Sequence, residues 1–387
     1  MSKPIYLDYN ATTPIDPQVL ATMLPFMERR FGNPSSSYVY GKRTKEAIEI
    51  AMRQVAALIG ATPEEIVFTS CGSESNNHAI IGVALANTHK ARHIITSRIE
   101  HPSVLNTCRY LEERLGFRVT YLPVDSYGMV APEGVREAVD RDTILITVMH
   151  ANNEVGTIES IGEIGEIAKE RGVLFHTDAA QSCGKISVDV NQLNVDLLTI
   201  AGHKMYAPKG VGALFIKNGT MIDSLIHGAG QERGWRAGTE NVPYMVGLGA
   251  ACEISGNLLP SYQKEVKVLR DRLHAEIEAG LGKDAVRLNG HPERRLPNTL
   301  NISLRGVVGE ELLGRIPEIA ASTGAACHAG STEPSSVLLE MGIGREWALG
   351  ALRLTLGRGS TLEEVEAAAS LIVERVKPFV SKNTGGA

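Results

Sequence analysis

The sequence predicts an α/β protein: a mainly parallel sheet covered by helices on both faces, accompanied by a second, smaller α+β domain. Three observations predict it. Short strands that are apolar nearly throughout alternate with helical stretches over the first half of the chain, as strands buried on both faces do. Beyond about residue 255 the character changes to a long charged helical stretch followed by two further strands. Finally, 387 residues are more than one core of about 150 residues accounts for, so two or three domains are expected.

The alternation starts at residues 47–59, where AIEIAMRQVAALI has apolar residues at helical spacing and Gly60 ends the helix. EIVFTS (65–70) reads as the next strand, a helix follows over about 75–89, and HIITS (93–97) is again a strand. The same pairing recurs as VLNTCRYLEERLG then FRVTYLPV, REAVD then TILITVMHA, and IGEIGEIAKERG then VLFHTD. VDLLTIAG (195–202) and VGALFI (211–216) are strands joined through a glycine-containing turn. The long helix LPSYQKEVKVLRDRLHAEIEAGLG precedes strands TLNISL and LRLTLG, and only SKNTGGA after Val380 reads as frayed.

Composition limits the partners. With 39 basic and 44 acidic side chains the net charge is −5, and there is no dense Lys/Arg tract; nucleic acid and anionic membranes are not expected as main partners. Cys71, Cys108, Cys183, Cys252 and Cys327 form no CxxC pair and are odd in number, which suits a reducing, cytoplasmic setting. The first residues have no secretory pattern, and nowhere do about 18 uncharged apolar residues follow one another. GxGxxG after the first strand, a complete P-loop and clustered metal-ligand spacings are all missing, so dinucleotide, P-loop and metal chemistry are not expected.

Ligands of open α/β sheets collect at the C-terminal ends of strands. There the chain has CGSESNN, where Gly72, Ser73 and the first amides of a helix can hold a phosphate, or Ser73 can simply cap the helix. It has EHP, where His101 is a stacking ring and proton carrier or an ordinary imidazole, and NNEVG, whose amides can bind a ligand or satisfy a turn. FHTDAAQS and TIAGHK place Asp178 and Lys204 after two strands. A carboxylate for a protonated aromatic nitrogen and an amine that condenses with an aldehyde are the two fixed polar partners that pyridoxal 5′-phosphate requires. Spacing alone does not assign Gln181 to the ring oxygen or His203 to the phosphate.

Taken together, YLDYNATTP (6–14), FGNPSSSYVYG, FTSCGSESNN, EHPSVLNTC, NNEVG, FHTDAAQSCGK, AGHKMYAPKGVGALF, QERGWRAGTENV, STGAACHAGSTEPSSVL and LRLTLGR (352–358) make the chain resemble the NifS/IscS-type cysteine desulfurases. These belong to the class V aminotransferase group of fold type I pyridoxal phosphate enzymes. The resemblance covers nearly the whole chain. It implies a seven-stranded sheet in a large domain (15–255), and a small domain made of 1–14 with 256–387 that carries a mobile nucleophile loop. It also implies pyridoxal 5′-phosphate as cofactor, L-cysteine as substrate, a homodimer, and a sulfur-acceptor protein or small thiol that serves iron–sulfur cluster assembly or thiolation.

The resemblance further implies roles for single residues. Lys204 is the lysine that holds the cofactor aldehyde, Asp178 the partner of the pyridine nitrogen, Gln181 the contact to the ring oxygen and His101 the stacking imidazole. Gly72, Ser73 and His203 hold the phosphate, joined by Thr239 from the other subunit. Asn153 lies near cofactor and substrate, Arg358 binds the substrate carboxylate, and Cys327 is the nucleophile that becomes a persulfide. Ser73 stands where the family commonly has threonine, and Ala201 where it commonly has serine, which removes one phosphate donor at a cost of roughly 1–3 kcal/mol. Selenocysteine lyase is the closest alternative, followed by an aminotransferase or a non-catalytic interaction protein.

Overall fold

The computed structural model describes residues 3–324 and 333–383. β1 (Ile5–Tyr6), α1 (Pro17–Glu28) and α2 (Val39–Ile59) come first. α2 ends as the sequence predicts, with Gly60 at φ +68° returning its N–H to Ala56 O. It starts at Val39, earlier than the core-facing pattern indicates, because Val39 and Tyr40 in its first turn are exposed.

Alternating strands and helices then build the main sheet. They are β2 (Ile66–Thr69), α3 (Gly72–Asn87), β3 (His93–Ser97), α4 (Pro102–Leu115), β4 (Arg118–Leu122), α5 (Pro132–Ala138), β5 (Thr143–Thr147), α6 (Ile161–Arg171), β6 (Leu174–Asp178), β7 (Leu197–Ala201) and β8 (Gly212–Ile216). β2 to β8 form one seven-stranded sheet in the order β2-β8-β7-β6-β5-β3-β4. Pairing is parallel from β4 across to β7, and β8 runs antiparallel to both β7 and β2. Successive residues face opposite sides of a strand, so Ile95, Ile146, Phe175 and Ile200 pack into one core while Ile94, Leu145 and Leu197 pack into the other. Double burial is why these strands read as continuous apolar runs.

At the sheet's β2 edge, two side chains stand in for a neighbouring strand. Phe68 N–H donates to Glu232 Oε2 at 2.9 Å, and Arg233 Nη2 donates to Ile66 O at 2.5 Å. Glu232 and Arg233 both lie in the left-handed region, at φ +45° and +58°, which costs roughly 1–2 kcal/mol per residue for side chains other than glycine.

α7 (Val242–Leu281) is longer than the sequence pattern suggests. Its first half, VPYMVGLGAACEISGN, has small residues in place of an apolar stripe. Those small residues permit close packing: a Cβ on Gly249 would lie 2.6 Å from Ala51 Cα on α2. The helix continues through Pro260 into a second core. There follow β9 (Val286–Asn289), β10 (Thr299–Leu304), α8 (Gly309–Gly314), β11 (Ile319–Ala320), α9 (Ser336–Glu340), α10 (Arg345–Leu349), β12 (Ala351–Thr355) and α11 (Leu362–Asn383). β12, β10 and β9 form an antiparallel sheet, and β1 pairs in parallel with β11. Leu7, Leu273, Ile277, Leu300, Ile302, Leu352, Leu354 and Ile372 share the second core. The tail read as frayed is helical as far as Asn383. Among the described residues no helix is long and apolar enough to cross a membrane.

Candidate active site

The C-terminal ends of β2, β3, β5, β6 and β7 carry the residues singled out above, and the strand Met1-proximal to them supplies a hub that sequence reasoning missed. Asn10, 1% exposed, follows β1. Its carbonyl accepts from Lys204 Nζ at 2.6 Å and from Gln181 Nε2 at 3.0 Å. Its Oδ1 accepts from Lys185 Nζ at 3.1 Å and Asn298 Nδ2 at 2.9 Å, and its Nδ2 donates to Asn153 O and Thr299 Oγ1. One asparagine therefore ties the strand ends of the main sheet to the smaller sheet.

Lys204 closes the single 3₁₀ turn after β7, and its Nζ also donates to Ala11 O at 2.7 Å. Gln181 Oε1 accepts from Lys185 Nζ at 2.8 Å. Burial, reinforced by the charges of Lys204 and Arg353, pushes Lys185 well below the ordinary lysine range. Its two named acceptors are neutral oxygens, so neither brings a negative charge against that shift.

A second chain of bonds positions Asp178 at the end of β6. Asn76 Nδ2 donates to Asp178 Oδ2 at 2.7 Å and to Ser103 Oγ at 2.8 Å. Ala180 N–H donates to Asp178 Oδ1 at 2.9 Å. Ser103 Oγ lies 2.7 Å from His101 Nδ1, which also accepts the Ser103 N–H. That leaves Nε2 as the protonated nitrogen of the neutral ring. Loss of solvation lowers the His101 pKa; Asp178 opposes the shift and Lys204 adds to it. His101, Asp178 and Lys204 thus act on one another electrostatically across one cleft.

At the β7 side His203 Nδ1 lies 3.2 Å from Thr12 Oγ1, and burial followed by the charge of Lys204 lowers its pKa to about 4. Gly72 and Ser73 open α3, whose first-turn N–H groups have no acceptor within the helix. Cys71 caps that helix: its Sγ accepts from Glu74 N–H at 3.5 Å. Ala201 fills the space beneath, since a Cβ on Gly72 would lie 3.1 Å from the Ala201 methyl. Thr239 is exposed.

In the turn after β5, Asn152 is consumed internally: its Oδ1 accepts from Glu154 N–H and Val155 N–H, and its Nδ2 donates to Ile99 O. Asn153 is held through its carbonyl, which accepts from Asn10 Nδ2 and from Arg353 Nη1, both at 3.2 Å. Arg353 was not among the expected site residues. Its Nη2 donates to Asp8 Oδ1 at 2.8 Å, and its buried Nε has no hydrogen-bond partner. The strand period signals this placement: Leu352 and Leu354 enter the second core, so Arg353 between them faces the cleft.

Arg358, expected to bind the substrate carboxylate, is not brought to this cluster. Its Nη1 lies 3.4 Å from Asp16 Oδ2, its Nη2 donates to Ser255 Oγ, and its guanidinium stacks on Tyr206 at 4.2 Å from the ring centre. Those partners already occupy both ends of the fork and one face. Cys327 lies outside the described residues. Cys108, Cys183 and Cys252 are buried, and burial raises each thiol pKa, that of Cys183 to about 12.

Beside the cleft, Glu100 is fully enclosed; burial pushes its carboxyl up to about 8 although Ser97 Oγ and Met149 N–H donate to it. A carboxyl raised in the folded state destabilises the fold progressively from its ordinary value of 4.5 up to about 8. Glu100→Gln is expected to remove that share of the decline. Thermal melts of both proteins at pH about 5 and about 8 check this, and an equal fall in both would contradict it.

The donor set fits pyridoxal 5′-phosphate. It comprises a carboxylate fixed by two N–H donors, an amide, an imidazole, a primary amine, and a helix N-terminus flanked by a hydroxyl and a second imidazole. An Aminotransferase class-V family profile matches residues 5–368. The Cysteine desulfurase IscS of Methanosarcina thermophila is 50% identical over 378 residues, covering 97% of this chain and 93% of that protein. The protein of the same name from Clostridium botulinum (strain Hall) is 48% identical over 381 residues, covering 97% and 95%. Among solved structures, a NifS-like protein superposes with a TM-score of 0.90 at 39% identity, over 96% of this chain and 98% of that one. SspA in complex with cysteine gives a TM-score of 0.80 at 38% identity, over 91% and 98%. This chain therefore belongs to the class-V aminotransferase family, as one of its NifS/IscS-type cysteine desulfurases.

Proposed function

We propose that the chain converts L-cysteine to L-alanine and receives the sulfur on Cys327, with the residues around Asn10 and Asp178 holding cofactor and substrate. The enzyme is a pyridoxal phosphate-dependent cysteine desulfurase. The observation that carries the residue assignment is the meeting of Lys204, Gln181 and the Asn153 turn on Asn10, opposite the Asp178–Asn76–Ser103–His101 chain.

In this reading Asp178 and Gln181 hold the cofactor ring, His101 stacks on it, and Gly72, Ser73 and His203 hold the phosphate with Thr239 of a second copy. When bound, pyridoxal 5′-phosphate supplies an aldehyde that condenses with amines and a ring that accepts electrons from substrate carbon. Lys204 moves the proton at substrate Cα, and Asn10 and Ala11 carbonyls aim its amine. Asn76 keeps the Asp178 carboxylate oriented. The sulfur step balances as a transfer: the Cβ–S bond breaks with its electron pair kept by carbon, which takes a proton. At the same time Cys327 sulfur bonds to the departing sulfur. Cysteine and the Cys327 thiol become alanine and the Cys327 persulfide. An acceptor protein or small thiol then takes the sulfur for iron–sulfur cluster assembly or thiolation.

We assign the substrate carboxylate to Arg353 in place of Arg358. Arg353 has an unpartnered buried donor and sits on the Asn153 carbonyl, whereas the Arg358 fork is already engaged. A charge-assisted contact contributes roughly 1.5–3 kcal/mol, so Arg353→Ala is expected to lower kcat/KM for cysteine by about 10- to 150-fold. Arg358→Ala is expected to lower it less. Steady-state kinetics on both variants decide, and the reverse order would restore Arg358 to the role.

The division at about residue 255 belongs to the same reading, supported by two cores that share only α7, with Leu7 packed in the second. So does a homodimer, for which exposed apolar side chains are available: Leu20, Leu24 and Met27 on α1, Phe31 after it, and Val39 and Tyr40 at the start of α2. A cytoplasmic location completes it. The experiment for the whole reading supplies cysteine to the cofactor-loaded protein and measures alanine and transferable sulfur in equal amounts. Absence of alanine would sink it. Selenocysteine as a second substrate tests the lyase alternative.

A further inference from the structure

The hydrogen bonds between Asp178 and His101 run in one direction. Asp178 Oδ2 accepts, so the Asn76 atom 2.7 Å from it is the amide nitrogen. That nitrogen carries two hydrogens, and the second goes to Ser103 Oγ at 2.8 Å. Ser103 Oγ therefore accepts from Asn76, and its own hydrogen is left for His101 Nδ1 at 2.7 Å. The backbone N–H of Ser103 donates to the same ring nitrogen at 3.1 Å. Ser103 is held in turn through its carbonyl, which accepts from Thr107 Oγ1 at 2.7 Å.

Two donors aimed at Nδ1 oppose a proton there, because an imidazolium would set N–H against N–H. His101 is also the N-cap of α4, and the positive end of a helix disfavours a cation. Loss of solvation opposes the charged ring further, Asp178 at the end of β6 favours it, and Lys204 after β7 opposes it again. His203, beside Lys204, interacts with the ring electrostatically as well. Glu100, the preceding residue, is turned to Ser97 Oγ and Met149 N–H.

We propose that Ser103 is a positioning residue that holds His101 as a neutral ring protonated on Nε2, with Asn76 fixing the direction of the Ser103 hydroxyl. Ser103 acts through His101. The inference rests on the reading of His101 as the ring stacked on the cofactor and of Asp178 as the partner of its nitrogen. In that reading the carboxylate keeps the cofactor ring cationic, and an imidazolium stacked on a cation would repel it. A neutral imidazole stacks without that cost. The same carboxylate that favours charge on both rings is thus linked, through Asn76 and Ser103, to the device that keeps one of them neutral.

Nitrogen-15 NMR of the histidine-labelled holoenzyme tests this, with the His101 signals identified by their loss in His101→Gln. Wild type is expected to show Nδ1 as an unprotonated acceptor and Nε2 as N–H at neutral pH. In Ser103→Ala the loss of one neutral hydrogen bond is expected to favour protonation of His101 about 2- to 12-fold, which moves its titration midpoint to higher pH. Cofactor retention, read from the visible spectrum after dialysis, is expected to fail at a correspondingly higher pH than in wild type. Ser103→Thr keeps the hydroxyl and is expected to titrate as wild type does. A wild-type ring protonated on Nδ1 overturns the inference without any variant. So does an unchanged or lower midpoint in Ser103→Ala, or a Ser103→Thr variant that titrates like Ser103→Ala. Failure of the underlying reading looks different: a His101→Gln holoenzyme that retains cofactor and forms alanine like wild type would remove His101 from the stack and leave the tautomer result standing.

Discussion

Lys204→Ala is expected to abolish measurable conversion of cysteine to alanine while leaving the fold intact. Removing a positioned acid–base group alone costs about 10²- to 10⁴-fold, and in the proposed reading this lysine is also the amine through which the cofactor is held. The fold should survive because Lys204 is half-buried and the buried Asn10 carbonyl keeps Gln181 Nε2 as a donor in its absence. Two measurements check the assignment. Borohydride reduction of the loaded wild type should fix the cofactor mass to the peptide containing Lys204, and the variant should show no such adduct. Alanine release at a rate within about tenfold of wild type would remove Lys204 from the chemistry.

Cys327→Ala is expected to have an equally large effect on sulfur transfer with a different signature. Cysteine should still bind, with affinity within about threefold of wild type, because the proposed carboxylate and cofactor contacts are untouched. Persulfide and alanine should both disappear. The other cysteines offer no substitute: Cys108, Cys183 and Cys252 are buried with raised thiol pKa values, and Cys71 Sγ is used as a helix cap. Alanine and sulfide production by Cys327→Ala at the wild-type rate would show that carbon–sulfur cleavage proceeds without this thiol.

How legible each part was in the sequence follows from where its determinants lie. β3, β5, β7 and β8 could be read because both faces of each are buried, which leaves an unbroken apolar run. The first half of α7 could not, because it packs on α2 through small residues, and glycines such as Gly249 carry low helix propensity. Among candidate site residues, Lys204, Asp178 and His101 were legible because reactive side chains just beyond buried strands stand out. Asn10 carries no titratable group, and its partners Asn298, Thr299 and Gln181 are far along the chain, so only the folded structure brings out its role. Lys185, four residues after Gln181, was within reach: two polar side chains at that spacing share a face in a helical turn. Arg353 escaped notice although strand alternation singles it out between two core leucines, whereas Arg358 follows β12.

The side-chain seal on β2 has a consequence for how copies of this chain assemble. An unpaired strand at the margin of a sheet is a template for another strand, and proteins guard such margins against runaway association. Here the outward amide of Phe68 and the outward carbonyl of Ile66 are already engaged by Glu232 and Arg233. Continuous sheets running from one molecule into the next are closed off at this margin, so association through it is left to side-chain surfaces, which can terminate at a pair and need not propagate into a filament.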